Sequence, residues 1–386
     1  MLADVNIVLG VTGSIAAVRT VEFVHECQRA GATVRSVMSP SATSIIHPDA
    51  VEFASDGPVI TELTGEIEHV DLCGRDGWGD VLVVAPTTAN TVGKMAASID
   101  DTPVTTCATT AIGAGMPVVI APAMHEPMWD HPGVLEAIDR LEQWGVRFVP
   151  PLLEEGKAKL ADDEAIVTSI ASAVREHTLA GNRIVVTSGA TSEPIDPVRV
   201  LTNRASGRMG RAIAREAHVR GGDVELIHDG PDVHYAAVQR VHTGQEMREA
   251  AVARVPEADV LISAAAIGDF EIDAAPTKLD SSRPHRLDLE PAPKVLDAVR
   301  EANPDIELVG FKAETGGETA ELIRSARAQQ DRLDAAFVVA NDASVMGERE
   351  TSVIIVDGEE KAHLSGTKPA VAAGIVDRVT AHLAGT

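Results

Sequence analysis

The 386-residue sequence predicts an α/β protein of two doubly wound domains with largely parallel sheets. Three observations point there. Short apolar runs alternate with longer amphipathic stretches, the rhythm of linked β-α-β units. Aromatic residues are only 3% of a chain that is 45% hydrophobic, so the cores must be built of Val, Ile, Leu and Ala, as in parallel strands buried on both faces. The rhythm also restarts after Ala180-Gly181-Asn182, which divides the chain into residues 1–180 and 181–386.

In the first domain, strands are expected over residues 5–10, 33–38, 80–85, 118–121 and 146–149. The run 80–85 is the clearest, an apolar segment bounded by Gly79 and Pro86. Helices are expected over 14–30, 88–97, 132–144 and 163–177; the first takes Ser14 near its start and Gly31 as its stop. In the second domain, strands are expected over 183–187, 223–227, 259–263, 306–311 and 335–340. Helices are expected over 207–220, 245–254, 294–302, 318–332 and 369–383. No sequence repeat relates the halves. Residues 274–289, rich in Pro, Ser, Asp and Arg, break the rhythm and read as a mobile loop or flap beside a site.

Composition excludes several functions. The net charge is -25, and eight lysines stand against 58 acidic residues. Such a surface repels nucleic acid and anionic membranes, so neither is an expected partner. Such a surface is also expected of a salt-adapted protein, in which salt screens self-repulsion, an ordinary acidic enzyme being the alternative reading. Three widely spaced cysteines, Cys27, Cys73 and Cys107, form no CxxC pair, against disulfides and structural zinc. The chain has no signal peptide and no apolar run of about 18 residues, so a soluble, cytoplasmic protein is expected.

Residues 11–17, Val-Thr-Gly-Ser-Ile-Ala-Ala, follow the first strand and open the first helix. Free backbone N–H groups and small side chains make such a turn an anion site. Tight packing is the alternative reading of any one such turn. Two more hydroxyl-rich turns follow strands, Ser39-Pro40-Ser41-Ala42-Thr43 and Pro86-Thr87-Thr88-Ala89-Asn90. Ligands of doubly wound sheets bind at the C-terminal edge of the strands, so three such turns favour a phosphorylated cofactor. The absence of GxGxxG argues against a classical dinucleotide fold and a nicotinamide reductase.

Residues 13–17, His69-Val70-Asp71-Leu72, residues 85–90 and Pro122-Ala123-Met124-His125-Glu126-Pro127-Met128-Trp129 together resemble the FMN-dependent cysteine decarboxylases. The resemblance implies a flavodoxin-like, Rossmann-like domain that binds FMN through Gly13, Ser14, Ile15, Ser39, Thr87, Asn90 and Thr106. It implies that flavin oxidation of a cysteine thiol to a thioaldehyde lets CO2 leave, and that the enethiolate is then protonated and reduced. His69 matches the family's catalytic histidine. Met124 and His125 fall in its substrate-binding segment, where His125 replaces an asparagine that holds the substrate carboxylate. The family's flap carries a cysteine, whereas the matching stretch here, residues 154–160, has none but has Lys157 and Lys159. An alternative reading is therefore an FMN-binding regulatory or scaffold domain fused to an active ligase.

Residues 187–210, from Thr187-Ser188-Gly189 to Arg208-Met209-Gly210, carry Arg199, Arg204 and Arg208 at a glycine-rich turn, with Arg211 next to it. In so acidic a chain this clustering points to a phosphate site. The run closely resembles the phosphopantothenate–cysteine ligases. Residues 263–270, Lys278, Gly310-Phe311-Lys312-Ala313-Glu314-Thr315 and Ala340-Asn341-Asp342 continue the match in order. The resemblance, in the domain order of the bifunctional decarboxylase–ligases of coenzyme A synthesis and in an archaeal, salt-adapted form, implies a Rossmann-like second domain. There 4′-phosphopantothenate attacks CTP (or ATP) with Mg2+, and cysteine then displaces the nucleotide from the acyl-nucleotide. Gly189, Ser263, Ala264, Ala265, Asp269, Lys278, Gly310, Phe311 and Arg332 are implied in nucleotide binding. Asn203, Arg204 and Ala205 are implied at the substrate, Asn203 holding the acyl carbonyl, and Lys278 is implied to close over the triphosphate. Arg332 stands where many ligases carry lysines. The metal ligands are left open. Decarboxylase trimers and ligase dimers in the family imply a homo-oligomer.

Overall fold

The computed structural model describes residues 1–292, 294–314, 318–342 and 350–385. The chain forms two compact units, Met1–Glu176 and His177–Thr386.

The first unit holds a five-stranded sheet. Its strands are β1 (Asn6–Val11), β2 (Thr33–Met38), β3 (Val81–Thr87), β4 (Val118–Pro122) and β6 (Arg147–Phe148), in the order β2-β1-β3-β4-β6 and parallel throughout. All seven residues of β3 are buried, because alternate side chains point to opposite faces and both faces are covered. Val8, Leu82, Val84 and Ile120 pack on one face. That face is covered by α4 (Glu68–Cys73), α5 (Ala89–Ala96), α6 (Pro103–Ala114) and α8 (Pro132–Gln143). The helices α1 (Thr20–Arg29), α3 (Pro48–Ala54) and α9 (Asp163–Val174) pack among themselves and on the strands, α2 (Pro40–Thr43) and α7 (Glu126–Trp129) being single turns. Three short strands, β5 (Met124–His125), β7 (Leu152–Glu154) and β8 (Lys157–Lys159), form a separate antiparallel sheet.

Two differences from expectation bear on the site. The helix expected over 14–30 enters as a 3-10 turn, Ile15–Arg19, and becomes α-helical only at Thr20. Helix α6 was not expected: its four threonines and Gly113 are weak helix formers. It forms because Thr102 and Thr105 cap each other's backbone N–H groups and Gly115, at φ +79°, closes the end.

The second unit holds an eight-stranded sheet in the order β13-β12-β9-β14-β17-β18-β19-β20. Strands β9 (Arg183–Thr187), β12 (Asp223–His228), β13 (Ala237–Arg240), β14 (Val260–Ser263), β17 (Glu307–Glu314) and β18 (Phe337–Asp342) are parallel. The last two, β19 (Glu350–Asp357) and β20 (Glu360–Thr367), are antiparallel and were not expected as strands. β20 is an edge strand carrying Glu360, Lys361 and His363, which discourages pairing with another chain. Two antiparallel ribbons stand apart, β10 (Ser192–Pro194) with β11 (Val200–Thr202), and β15 (Phe270–Ile272) with β16 (Leu289–Pro291).

Alternation again buries both faces. Ile184, Val186, Val260 and Ile262 pack with α10 (Arg208–Val219) and α14 (Lys368–Gly385). Val185, Leu261 and Leu308 pack with α11 (Gly244–Arg254) and α12 (Val295–Ala302). Helix α13 (Thr319–Leu333) covers Val338, Ala340, Ile354 and Val356. Among the described residues no helix is long and apolar enough to cross a membrane. The three cysteines are buried thiols, and burial raises that of Cys27 to about 12.

Leu82 is fully buried in the centre of β3. Leu82→Ala is expected to destabilise the protein by about 2–5 kcal/mol, read as a lower urea midpoint at an unchanged slope.

Candidate functional sites

In the first unit the strand ends are joined into one surface. Thr12, just past β1, donates its Oγ1 to the Pro86 carbonyl at 2.8 Å and accepts the Thr88 N–H at 3.1 Å. Ser14 Oγ, at the cap of the 3-10 turn, donates to the Ala123 carbonyl at 3.0 Å. The Ala123 N–H in turn donates to the Thr87 carbonyl at 2.9 Å. The Ser39 and Ser41 hydroxyls lie 3.1 Å apart, and the Ser39 N–H donates to the Val11 carbonyl at 3.0 Å. Gly13 is required here, since a Cβ would sit 2.5 Å from Ser41 Oγ and 3.2 Å from its carbonyl carbon. The turns after β1, β2, β3 and β4 therefore meet at one edge. Ile15 is 78% exposed there, an apolar side chain with no cover from its own unit.

Not every expected contact faces that edge. Thr87 is fully buried, and its hydroxyl donates to the Val84 carbonyl at 2.5 Å, so it builds the turn. Thr106, on α6, donates its hydroxyl to the Asp100 and Thr102 carbonyls. Asn90 is exposed on α5, and no hydrogen bond among the described residues joins it to the cluster. His69 is half-buried in the first turn of α4, which packs on α6.

His125 is exposed at the start of α7, and its ring makes no cap hydrogen bond. The register of β5 against β8 places it opposite Lys157, and Met124 opposite Ala158. The stretch expected as a flap is thus a hairpin tied to the 122–129 segment, with the Glu126 N–H donating to the Gly156 carbonyl at 3.1 Å. Its turn residues Glu155 and Gly156 both have positive φ, the conformation that tight hairpins need. Lys159 pairs with Glu154 and Glu155 at 3.2 and 2.9 Å, while Lys157 has no ion pair among the described residues.

The second unit has a cavity of about 770 Å³ at the C-terminal ends of its strands, lined from Asn203–Gly210, Ser263–Asp269, β17 and α13. Among the described residues six basic side chains line it, Arg204, Arg208, Lys294, Lys312, Arg332 and Lys368, against one carboxylate, Asp269. Three of the chain's eight lysines thus converge on one cavity of a chain with net charge -25. Lys294 pairs with Asp269 at 2.9 Å, Lys312 with Glu314 at 3.1 Å, and Arg332 with Asp297. Arg204 is exposed with no partner among the described residues. The turn into α10 depends on glycine twice. Gly207 is left-handed at φ +68°, and a Cβ on Gly210 would meet the Ser188 Cβ at 2.5 Å and its Cα at 3.0 Å.

Of the expected ligase residues, Asn203, Arg204, Ala205, Ser263, Ala264, Ala265, Asp269, Phe311 and Arg332 line the cavity. Gly189, Gly310 and Lys278 do not. Gly189, at φ +89°, lies against Gly207, where a Cβ on Gly207 would come within 3.0 Å of its Cα and N. Gly310 packs under Gln329, whose amide nitrogen would be 2.9 Å from an added Cβ. Lys278 is exposed on the loop between β15 and β16. The arginine cluster also divides: Arg204 and Arg208 line the cavity, Arg211 donates to the Ser206 carbonyl at 3.1 Å, and Arg199 pairs with Asp196. Asn203 Nδ2 is directed at the Ala266 and Ile267 carbonyls at 3.2 and 3.4 Å, and its Oδ1 is an acceptor. Thr315 lies outside the described residues, as does the side chain of Asp342. Sequence reasoning missed Lys294 and Lys368, single basic residues far apart in the chain; only the scarcity of lysine marked them.

The profile of the family described as DNA/pantothenate metabolism flavoprotein C-terminal domain matches residues 179–383, and that of the Flavoprotein family matches residues 1–175. A coenzyme A biosynthesis bifunctional protein CoaBC of Thermococcus kodakarensis is 48% identical over 362 residues, covering 92% of this chain and 89% of that protein. A protein of the same description from Methanocaldococcus jannaschii is 34% identical over 387 residues, covering 98% and 94%. One from Mycobacterium tuberculosis is 33% identical over 409 residues, covering 98% and 97%. The chain therefore belongs to the DNA/pantothenate metabolism flavoprotein family, with a flavoprotein domain ahead of that family's C-terminal domain.

Gly13→Ala is expected to displace the Ser39–Ser41 turn and to purify without bound flavin, at unchanged far-ultraviolet circular dichroism. A fully yellow variant would show that the turn tolerates the methyl group.

Proposed function

We propose that the second unit activates 4′-phosphopantothenate with CTP and joins it to cysteine, and that the first unit decarboxylates the resulting 4′-phosphopantothenoylcysteine to 4′-phosphopantetheine with FMN. The single observation that carries this reading is the cavity where Arg204, Arg208, Lys294, Lys312, Arg332 and Lys368 converge in a chain of net charge -25. A phosphorylated substrate and a nucleoside triphosphate together bring more negative charge than any neutral ligand pair, and both half-reactions add to it. The relatives' bifunctional role in coenzyme A biosynthesis supports the same pairing of activities.

In the ligase half, the backbone of the Gly207–Gly210 turn and Arg208 take phosphate, and Phe311 forms an apolar wall for the base. Lys278, exposed on the short span of its loop, is assigned to the triphosphate through its long side chain. Asn203, with Nδ2 engaged by main-chain carbonyls, offers Oδ1 as an acceptor, which suits the attacking amine of cysteine. Among the described residues no group of three His, Cys, Asp or Glu side chains comes together to hold a metal. Mg2+ would then be carried largely by the nucleotide's phosphates.

In the decarboxylase half, Gly13, Ser14 and the Ser39–Ser41 turn form a cradle of small and hydroxyl-bearing residues that fits a flavin phosphate. FMN supplies reversible two-electron chemistry at the cysteine sulfur. His69 is assigned the proton transfer, and His125 with Lys157 on the neighbouring strand is assigned to the substrate's carboxylate. The hairpin stretch matches the family's flap but has no cysteine, so the final reduction uses another donor, or none. The assembly is proposed to be a cytoplasmic homo-oligomer.

His69→Asn is expected to keep bound FMN and pyrophosphate release but to lose CO2 release by at least about a hundredfold, the usual worth of an acid–base group. Retained CO2 release would refute the role. Lys278→Gln is expected to slow pyrophosphate release from CTP while leaving decarboxylation of supplied 4′-phosphopantothenoylcysteine unchanged. Parallel assays with ATP decide the nucleotide, a higher kcat/KM with CTP being expected.

A further inference from the structure

We propose that Asp196 is a positioning residue for Lys278: it anchors the loop that carries the lysine, and so acts on nucleotide activation without touching the nucleotide. This rests on the assignment of Lys278 to the triphosphate.

The loop leaves β15 at Ile272 and returns at Leu289. It is not free along its length. The Ala275 N–H donates to the Ile195 carbonyl at 2.9 Å. The Leu279 N–H donates to Asp196 Oδ2 at 3.1 Å, and the Leu279 carbonyl accepts from Arg199 Nη1 at 3.3 Å. Lys278 therefore sits on the short span Pro276-Thr277-Lys278, held on both sides by the tip of the β10/β11 ribbon. The lysine is exposed and has no partner among the described residues, while the side chain that anchors its neighbour has no exposed surface at all.

Asp196 is built for this task. Its Oδ1 accepts the Val198 N–H at 2.7 Å and the Arg199 N–H at 2.8 Å, closing the ribbon's turn. Its Oδ2 takes Leu279 N–H and, at 2.5 Å, the Arg199 guanidinium. Burial alone would raise the carboxyl, but the N–H groups of Leu279, Val198 and Arg199 and the guanidinium outweigh it and hold the pKa at about 2. A depressed carboxylate contributes its stability above the unfolded pKa and loses it only as pH falls through the folded value, so the anchor stays charged at any ordinary assay pH. The same ribbon runs on through β11 directly into Asn203 and the Gly207 turn. One hairpin thus sets the place of the lysine loop and of the substrate asparagine together.

Asp196→Asn keeps an acceptor for the turn but presents an amide N–H to the Leu279 N–H and to Arg199. Three results are expected of this variant in the full-length protein. Trypsin should cleave after Lys278 about tenfold faster or more, the shift expected from losing a charge-assisted hydrogen bond. Pyrophosphate release should slow toward the rate of Lys278→Gln, with decarboxylation unchanged. The double variant Asp196→Asn/Lys278→Gln should be no slower than Lys278→Gln alone. Wild-type proteolysis and pyrophosphate release, or two losses that multiply in the double variant, would overturn the proposal. Should Asp196→Asn misfold by circular dichroism, Leu279→Pro removes the N–H that ties the loop to the carboxylate; its Lys-Pro bond resists trypsin, so the expected results are the two kinetic ones, slowed pyrophosphate release with decarboxylation unchanged and a double variant with Lys278→Gln no slower than Lys278→Gln alone. If Lys278→Gln itself proves fully active, the nucleotide assignment fails, and the cleavage rates still decide whether Asp196 anchors the loop.

Discussion

Burial of both faces of a parallel sheet is the constraint from which the rest follows. Strands such as Val81–Thr87 have no solvent-facing side, so they cannot present chemistry along their length. What remains accessible is the edge where the strands end and the chain turns into helices. Both units place their candidate sites there. The first does so with turns of Thr, Gly and Ser joined by hydrogen bonds through Thr12, Ser14 and Ala123. The second does so with a glycine turn whose backbone lies close to Gly189 and Ser188. Glycine at 13, 207 and 210 is thus a packing requirement first, and it creates the room a phosphate would use.

Charge is distributed with the same economy. A net charge of -25 makes positive potential scarce, and the second unit concentrates it in one cavity where, among the described residues, Asp269 is the one carboxylate on the wall. Several of these cations are already paired, Lys294 with Asp269 and Lys312 with Glu314. Those pairs hold long side chains in place before a ligand arrives, and a phosphate can compete for them. Acidic surroundings repel anions at long range, so recognition must depend on short-range contacts within the cavity.

Most of the strand positions were legible because apolar runs bounded by Gly and Pro leave few alternatives; Thr33–Met38 and Arg183–Thr187 fall where the pattern placed them. What escaped has physical reasons. Helix α6 is made by capping and packing against α4, against the propensity of its threonines. Strands β19 and β20 are antiparallel additions at an edge, and β20 is mostly exposed, so neither carries the buried-run signal. At the sites, long motifs located Asn203, Arg204 and Asp269, but only the fold brought Lys294 and Lys368 to them. Arg199, grouped by sequence with the phosphate arginines, turned instead to Asp196, because a buried carboxylate three residues away needs a partner.

The central claim is that one chain performs two successive reactions, a ligation and a decarboxylation, at two separate sites. The most direct measurement supplies the purified protein with 4′-phosphopantothenate, cysteine, Mg2+ and CTP in high salt, and follows pyrophosphate and CO2 in the same reaction. The account predicts that pyrophosphate appears first and that CO2 follows after a lag, in equal final amounts and only when cysteine is present. Pyrophosphate without any CO2, from protein that carries its full complement of FMN, would contradict it.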